Sequence, residues 1–209
     1  MMVEGKGLVK PHMEELILRR DEIQLLKTEA IRRAEYRRYA KRKDIWGSGL
    51  IRGAMLEYIG NIEPAALAIL IGLVGEYSTC LFLNRRFRRT VCSTDLVLKP
   101  KGDGGIDLEV FGVRIEVKGR KRDYASNLVR FKTEHGQIIL LNADVYVFSQ
   151  WKLREVSQLL GWANIETVQN WETKPAHIGR HFNKEGEDID LEPMCRLIDF
   201  LRVKEKLKK

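Results

Sequence analysis

The fold of this chain is decided by the stretch Gly102-Asp-Gly-Gly-Ile-Asp107-Leu-Glu-Val-Phe-Gly-Val-Arg-Ile-Glu116-Val-Lys118-Gly-Arg120. Apolar residues alternate with polar ones over 106–110 and again over 113–117, a pattern typical of half-buried β-strands. Phe111 and Gly112 separate the two runs, and we expect them to form a tight hairpin turn. With this turn, every apolar side chain of the two strands lies on one face.

The same register brings charged side chains together on the other face. Asp107 is predicted to lie opposite Glu116, Glu109 opposite Arg114, and Lys118 two residues beyond Glu116. Directly opposed carboxylates on paired strands are destabilising, so a cation is expected between them. Oxygen ligands suit Mg²⁺ or Mn²⁺, and such sites usually hold the ion jointly with substrate phosphates. The hairpin therefore predicts phosphodiester chemistry.

An inert hairpin is the alternative for this stretch. In that interpretation Lys118 and Arg114 only neutralise Glu116 and Glu109. Opposed carboxylates would be an unusual way to build an inert surface, which favours the metal site.

Length and charge restrict the class of protein. The chain has 209 residues, a length that indicates one domain with an appendage. Its formal net charge of +8 favours a polyanionic partner such as DNA. Lys and Arg dominate 19–43, 85–89 and 114–122, whereas 185–192 is acidic.

The cysteines and the hydropathy pattern indicate the compartment. The three cysteines are widely separated and form no Cys-x-x-Cys pair, which argues for a reducing compartment and against a cysteine-based metal site. No signal peptide is recognised, and the most apolar stretch, 65–74, is much shorter than a membrane span. We expect a soluble cytoplasmic protein with no membrane segment.

Secondary structure can be predicted for most of the chain from apolar periodicity and from Gly and Pro positions. Residues 125–141 fit either a helix or strands. Trp151, Trp162 and Trp171 are expected to pack in a core rather than to stack on bases. Helices are predicted over 12–43, 50–59, 64–87, 153–160 and 191–207, and strands over 90–98 and 143–148.

Three basic segments are candidates for DNA contacts. The helical segment 32–43 carries many cations, and it can be a solvated face, a phosphate-binding surface or a dimer interface. The cations at 85–89 end a helix, where a cap and a DNA contact explain them equally well. The candidate DNA-binding residues are Arg37, Arg38, Lys41 and Arg42 on the helix and Arg120, Lys121 and Arg122 after the hairpin.

Glu76 is the third acidic candidate. It lies on the predicted helix over 64–87, at the margin of the buried stripe, where long charged residues are common. Gly72 and Gly75 weaken this helix by about 1 kcal/mol each relative to Ala, which suggests close packing against a strand.

Together, Glu76 on a helix, Asp107 on a strand and Glu116-Val-Lys118 on the next strand resemble the PD-(D/E)XK nuclease superfamily, which has the restriction-endonuclease-like fold. The resemblance covers roughly 65–150. Gly75-Glu76-Tyr77 and Gly104-Gly-Ile-Asp107 look particularly like nucleases of phage and DNA-repair systems. The residue before Asp107 is isoleucine, where the name of the superfamily has proline.

The resemblance implies a role for each of these residues. Asp107 and Glu116 would hold one or two Mg²⁺ ions, with the carbonyl group of Val117 completing the shell. Glu76 would contribute directly or through water. Lys118 would orient or activate the attacking water and stabilise the phosphate. The products would carry a 5′-phosphate and a 3′-hydroxyl.

The resulting prediction is an α/β protein with a small mixed central sheet flanked by helices. Residues 1–62 would form a basic helical extension, 63–150 the nuclease core, and 151–209 a C-terminal extension with a terminal helix. The predicted activity is Mg²⁺-dependent hydrolysis of DNA, by an endonuclease. The alternatives are a DNA-binding protein on the same fold without turnover, and a Holliday junction resolvase, which requires a homodimer.

Overall fold

A computed structural model gives the structure of the chain and describes residues 13–39, 60, 62–94, 96, 106–120, 127–134, 137–139, 143–175 and 181–208. The predicted helix over 50–59 lies outside these residues. The strands are, in chain order, β1 (Glu14–Ile17), β2 (Leu108–Val110), β3 (Val113–Arg120), β4 (Asn127–Glu134), β5 (Gln137–Ile139), β6 (Val145–Leu153), β7 (Val156–Asn164), β8 (Glu172–Pro175) and β9 (His181–Gly186). The helices are α1 (Arg20–Tyr39), α2 (Pro64–Phe87), α3 (Ile165–Asn170) and α4 (Met194–Leu207), with a 3-10 turn at Asp188–Asp190.

The strands form two sheets. The central sheet is mixed and has five strands in the order β1-β7-β6-β3-β2, in which only β3 and β6 are parallel neighbours. The second sheet has the order β5-β4-β9-β8 and is antiparallel throughout. A mixed α/β fold around a central sheet is therefore confirmed, while the second sheet was not predicted.

Helix α2 packs on one face of the central sheet at very short range. Gly75 of α2 lies against Val117 and Ser149, and a Cβ atom at Gly75 would clash with the Ser149 hydroxyl group. A Cβ atom at Gly119 of β3 would lie 2.8 Å from the carbonyl oxygen of Ile71 on α2. Two residues without side chains thus allow the helix and strand to approach, as predicted for Gly75.

Three hydrophobic cores show how the helices and the second sheet are arranged around the central sheet. One core lies between the central sheet, α2 and α4, and a second lies between α1 and α2. On the opposite face of the central sheet, a third core joins β6 and β7 to α3 and to the second sheet through Val129 and Trp171. The central sheet is therefore covered by helices on one face, and by α3 and part of the second sheet on the other.

The β2–β3 hairpin has the predicted turn and register. Phe111 and Gly112 have φ values of 50° and 75°, as a two-residue turn of the primed type requires. Leu108 pairs with Ile115, Glu109 with Arg114 and Val110 with Val113.

Several predicted elements are confirmed. α2 spans the predicted range and starts with Pro64 in its first turn, where the missing N–H group costs nothing. The terminal helix is present as α4, and the strand predicted over 143–148 is the first half of β6. The ambiguous segment 125–141 contains strands β4 and β5. The side chains of Trp151, Trp162 and Trp171 are all buried, as expected for core residues.

Three predicted elements are wrong in whole or in part over the residues that the structure describes. The helix over 153–160 is instead the turn and first half of β7, which is buried on both faces and therefore lacks the alternation of a half-exposed strand. The predicted helix over 12–43 begins only at Arg20, because 14–17 pairs with β7 at the sheet edge. Residues 90–94 form no strand, because the Asn84 side chain bonds to the backbone of Val91 and Cys92 in place of a strand partner.

All three predicted segments contribute to the central sheet: β1 comes from 1–62, β2, β3 and most of β6 from 63–150, and β7 from 151–209. The boundaries proposed for these segments remain predictions.

Among the described residues, α2 is the one helix whose length and composition would allow it to cross a membrane. However, 67% of its most apolar 18-residue window is buried inside the protein. The core helix of a soluble protein has these same properties.

Candidate functional site

Glu116 and Lys118 lie side by side on the face of β3 that points away from α2. Since Val117 and Gly119 face α2, the alternation of a strand directs Glu116 and Lys118 to the opposite face. The Lys118 ammonium group donates a hydrogen bond to Glu116 Oε1. The Glu116 side chain is 6% exposed and that of Lys118 is 27% exposed, so a buried carboxylate meets a cation that water can reach.

The Asp107 carboxylate lies at the peptide bond that follows Glu116. Its Oδ2 atom accepts a 2.6 Å hydrogen bond from the backbone N–H of Val117. The Asp107 N–H donates to the carbonyl oxygen of Ile115 over 3.0 Å. The β2–β3 ladder ends at Leu108, so the side chain of Asp107 takes the place of a backbone acceptor beside β3. Asp107 is therefore next to Glu116 but is not its ladder partner.

Tyr146 of β6 is a neighbour of Glu116 that the sequence did not indicate. It is the register partner of Glu116 across the parallel β3–β6 pair and is fully buried. Burial raises the pKa of the Tyr146 phenol, and the charges of Glu116 and Asp144 raise this pKa further. The phenol is therefore a neutral group at neutral pH.

Glu76 lies on α2, which covers the opposite face of the sheet from Glu116 and Lys118. Its carboxylate is half-buried and folds back along the helix, with Oε1 4.0 Å from the place of a Cβ atom on Gly72. The structure thus brings Asp107, Glu116 and Lys118 together through adjacent backbone, and it puts Glu76 on a separate layer.

The donor set can be compared with the needs of Mg²⁺. Within the described ranges, no group of three or more His, Cys, Asp or Glu side chains is arranged to hold a metal ion. Mg²⁺ is commonly bound through only one or two protein carboxylates, with waters and substrate phosphates completing its shell. Asp107 and Glu116, with the Val117 carbonyl as a further oxygen ligand, fit a Mg²⁺ site of this kind. They do not fit a site in which every ligand of the ion comes from the protein.

Arg120 is the candidate DNA contact whose side chain is described. Its guanidinium group forms two 2.7 Å bonds with the Asp188 carboxylate, and Asp188 also accepts from Asn127 over 3.0 Å. The Arg120 side chain is 12% exposed. A phosphate contact by Arg120 would require this ion pair to open.

The other candidate DNA contacts cannot be placed in the site. Arg37 and Arg38 belong to the last turn of α1, but their side chains lie outside the description. Lys41, Arg42, Lys121 and Arg122 lie outside the described residues altogether.

Two ion pairs next to the site were also missed. Arg114, the ladder partner of Glu109, directs its side chain to Asp144, with distances of 2.8 and 3.1 Å. The Arg114 interaction lowers the pKa of Asp144. The acidic character of 185–192 was visible in the sequence, but the pairing of Asp188 with Arg120 spans 68 positions, and no local pattern reports such a distance.

The chain was compared with known proteins by family model, by sequence and by structure. No family model, curated protein or solved structure matches it.

Proposed function

We propose that this protein is a Mg²⁺-dependent nuclease that hydrolyses the phosphodiester bonds of DNA, with Asp107, Glu116 and Lys118 in its active site. The observation that carries the proposal is the arrangement around the peptide bond between residues 116 and 117. Glu116 accepts from the Lys118 ammonium group, and Asp107 accepts from the N–H of Val117. Two acids and one partly exposed cation are what a site for Mg²⁺ and a phosphate diester requires.

Each side chain has a distinct role in this proposal. Asp107 and Glu116 would hold Mg²⁺, together with the Val117 carbonyl group. The bound ion supplies Lewis acidity toward the scissile phosphate and lowers the pKa of the attacking water. Lys118 donates a hydrogen bond to a non-bridging phosphate oxygen, which stabilises the charge that develops there.

The bond changes define the products. The water oxygen forms a bond to phosphorus and its proton leaves to solvent. The bond between phosphorus and the 3′ oxygen breaks, and that oxygen takes up a proton. The products therefore carry a 5′-phosphate and a 3′-hydroxyl.

We also propose that segment 65–150 has a restriction-endonuclease-like fold. This segment supplies β2, β3 and most of β6 to the mixed sheet, with α2 on one face, which is compatible with that fold. The net charge of +8 suits a DNA substrate. The role of Glu76 as a third acid stays a prediction from the sequence and is not part of this proposal, because α2 covers the opposite face of the sheet from Glu116 and Lys118. A soluble protein fits the burial of α2, and a cytoplasmic location stays a prediction from the separated cysteines.

One contact favours a second candidate function, a DNA-binding protein without turnover. The Lys118 ammonium group already engages the Glu116 carboxylate, so the two charges satisfy each other in the absence of any ligand. In that case DNA would bind without being cleaved, with or without Mg²⁺.

Cleavage assays with a matched pair of variants test the proposal. Purified protein is incubated with plasmid, single-stranded DNA, RNA or a four-way junction in Mg²⁺, Mn²⁺ or EDTA. We expect cleavage of DNA in either metal, none in EDTA, and at least a 100-fold loss in Asp107→Asn. Asp21→Asn changes an exposed aspartate of α1 in the same way and should cleave normally.

Cleavage in EDTA, or full activity in Asp107→Asn, would refute the metal mechanism. DNA binding without cleavage under every condition would favour the binding protein. Cleavage restricted to the four-way junction, by a dimeric protein, would instead identify a resolvase.

A further inference from the structure

A pocket rich in arginine lies at the end of α2, away from the proposed active site. It has a volume of about 480 Å³. The residues that line it come from the end of α2 and from α4: Arg85, Arg86, Phe87, Arg88, Arg202 and Glu205. Four arginines therefore line one open cavity together with a single acidic residue, Glu205, whose carboxylate pairs with Arg89 over 2.6 Å.

The simplest explanation for these arginines is the helix dipole, since cations at a helix C-terminus stabilise the last carbonyl groups. It accounts for Arg85 and Arg86, which are in the last turn. It does not require Arg202 of a second helix to face the same cavity. Guanidinium groups brought together in this way repel one another, and an anion between them would remove that repulsion.

The arginines are not equally engaged with the protein. Arg86 pairs with Glu14 over 2.8 Å, and Arg202 is 3.8 Å from Asp199 and stacks over Phe87. Arg85 and Arg88 are exposed and form no ion pair with any residue that the structure describes. Two cations are thus available for an external anion.

The backbone of Arg88 ends α2 at the pocket. Arg88 is the C-cap of α2 and has φ 53° and ψ 29°, the left-handed conformation that favours glycine or asparagine. Its N–H donates to the carbonyl of Arg85, and the N–H of Arg89 donates to that of Asn84. This is a common way for a helix to end, and it leaves Arg88 among the residues that line the pocket.

The pocket lies beside the turn of the β2–β3 hairpin. Phe87 packs edge-on against Phe111, with ring centroids 5.3 Å apart, and Arg89 stacks over the same ring. The pocket therefore lies near the hairpin turn on the α2 side of the central sheet, whereas Glu116 and Lys118 point to the other side.

We propose that this pocket binds a phosphate of the DNA backbone away from the scissile bond, with Arg85 and Arg88 as its principal contacts. The identity of the ligand as DNA rests on the proposed function. The chemistry is that of a phosphodiester, which a guanidinium group binds through two parallel hydrogen bonds. Such contacts position the duplex and do not depend on its sequence.

The test measures binding separately from cleavage. Affinity for a labelled 20-base-pair duplex is determined in EDTA at several KCl concentrations between 50 and 200 mM. The salt slope is the magnitude of the slope of the logarithm of the association constant against the logarithm of the KCl concentration. Each lost phosphate contact reduces this slope by about 0.9. Arg85→Gln/Arg88→Gln should therefore reduce it by about 2 and weaken binding at every KCl concentration. The matched control, Arg20→Gln/Arg154→Gln, removes two other exposed arginines and should leave the slope unchanged.

A second variant excludes misfolding as the cause of any loss. Arg88→Gly removes one guanidinium group and relieves the left-handed strain. Its melting temperature should equal or exceed that of the wild type, while its salt slope falls by about 1. Weaker binding together with a lower melting temperature would count against the proposal.

The outcomes separate this inference from the proposed nuclease activity. Normal cleavage with an unchanged salt slope in Arg85→Gln/Arg88→Gln would overturn the pocket and leave the nuclease. A reduced slope in a protein that never cleaves DNA would support the pocket alone. An equal loss in the control variant would show an effect of net charge only. If pyrophosphate raises the melting temperature through Arg85 and Arg88 while DNA affinity is unchanged, the ligand is a small phosphate and not DNA.

Discussion

The Asp107 carboxylate accepts a 2.6 Å hydrogen bond from the backbone N–H of Val117, the residue between Glu116 and Lys118. This contact joins the end of β2 to the middle of β3, where the ladder itself has stopped. Asp107 therefore supports the backbone of the strand that carries the other two proposed catalytic residues. A structural and a catalytic role of Asp107 can be separated by choosing the right substitution.

Asp107→Asn and Asp107→Ala should differ in stability but agree in activity. Asparagine keeps an oxygen that can accept from Val117, whereas alanine leaves that N–H without its side-chain acceptor, at a cost of about 1–3 kcal/mol. Neither variant has the negative charge proposed to hold Mg²⁺. Urea denaturation and cleavage assays measure the two effects, and equal stability of the two variants would exclude the structural role.

The Glu116 and Lys118 side chains should be energetically coupled. Removing one partner of a fully buried ion pair costs about 3–5 kcal/mol, and the 27% exposure of Lys118 reduces this to roughly 1–3 kcal/mol for Lys118→Met. The double variant Glu116→Gln/Lys118→Met should be more stable than the sum of the single effects predicts, by at least about 1 kcal/mol. Strictly additive free energies of unfolding in this cycle would contradict the ion pair.

Gly75→Ala should destabilise the contact between α2 and the central sheet. The added methyl group would collide with the Ser149 hydroxyl and lie 3.2 Å from Val117 Cγ1. Overpacking costs about 1–3 kcal/mol, more than the gain of about 1 kcal/mol in helix propensity. Ser149→Ala removes the colliding oxygen, so Gly75→Ala/Ser149→Ala should recover part of the loss in a urea denaturation series. No recovery would mean that the helix shifts as a whole.

The contact between Tyr77 of α2 and Glu22 of α1 should make stability sensitive to alkaline pH. The phenol donates a 2.5 Å hydrogen bond to Glu22. The pKa of Tyr77 is raised to about 12, mainly by burial and secondly by this hydrogen bond. Because the folded-state pKa lies above the ordinary value of 10, the contribution is complete below pH 10 and is lost as the pH rises through 12.

Tyr77→Phe measures this contribution. At pH 8 the free energy of unfolding of the variant should be lower by about 1 kcal/mol. This is a small contribution for a hydrogen bond to a charged group, because the phenol is partly exposed. The difference from the wild type should shrink between pH 10 and 12, as followed by urea denaturation at each pH. A difference that is constant up to pH 12 would show that Tyr77 does not titrate with folding.

The sequence by itself determined the local elements. Alternation over 106–117 and a two-residue turn were enough to predict the β2–β3 hairpin and its register, because strand pairing across a tight turn depends only on neighbouring residues. Pro64 and the apolar spacing that follows it predicted α2 in full. The glycine at position 75 indicated close packing, since no other residue fits where a helix meets a sheet at that distance.

Tertiary structure decided what local patterns could not encode. Strand β7 was predicted as a helix at its start because burial on both faces removes its alternation. The second sheet joins β4 to β9, segments about fifty residues apart along the chain. Sequence placed Glu76 with the other acids, but the layer that α2 occupies separates it from Glu116 and Lys118. Arg120 looked like a free cation until folding brought Asp188 to it. Sequence thus specified which groups the site contains, and packing between distant segments decided which of them meet.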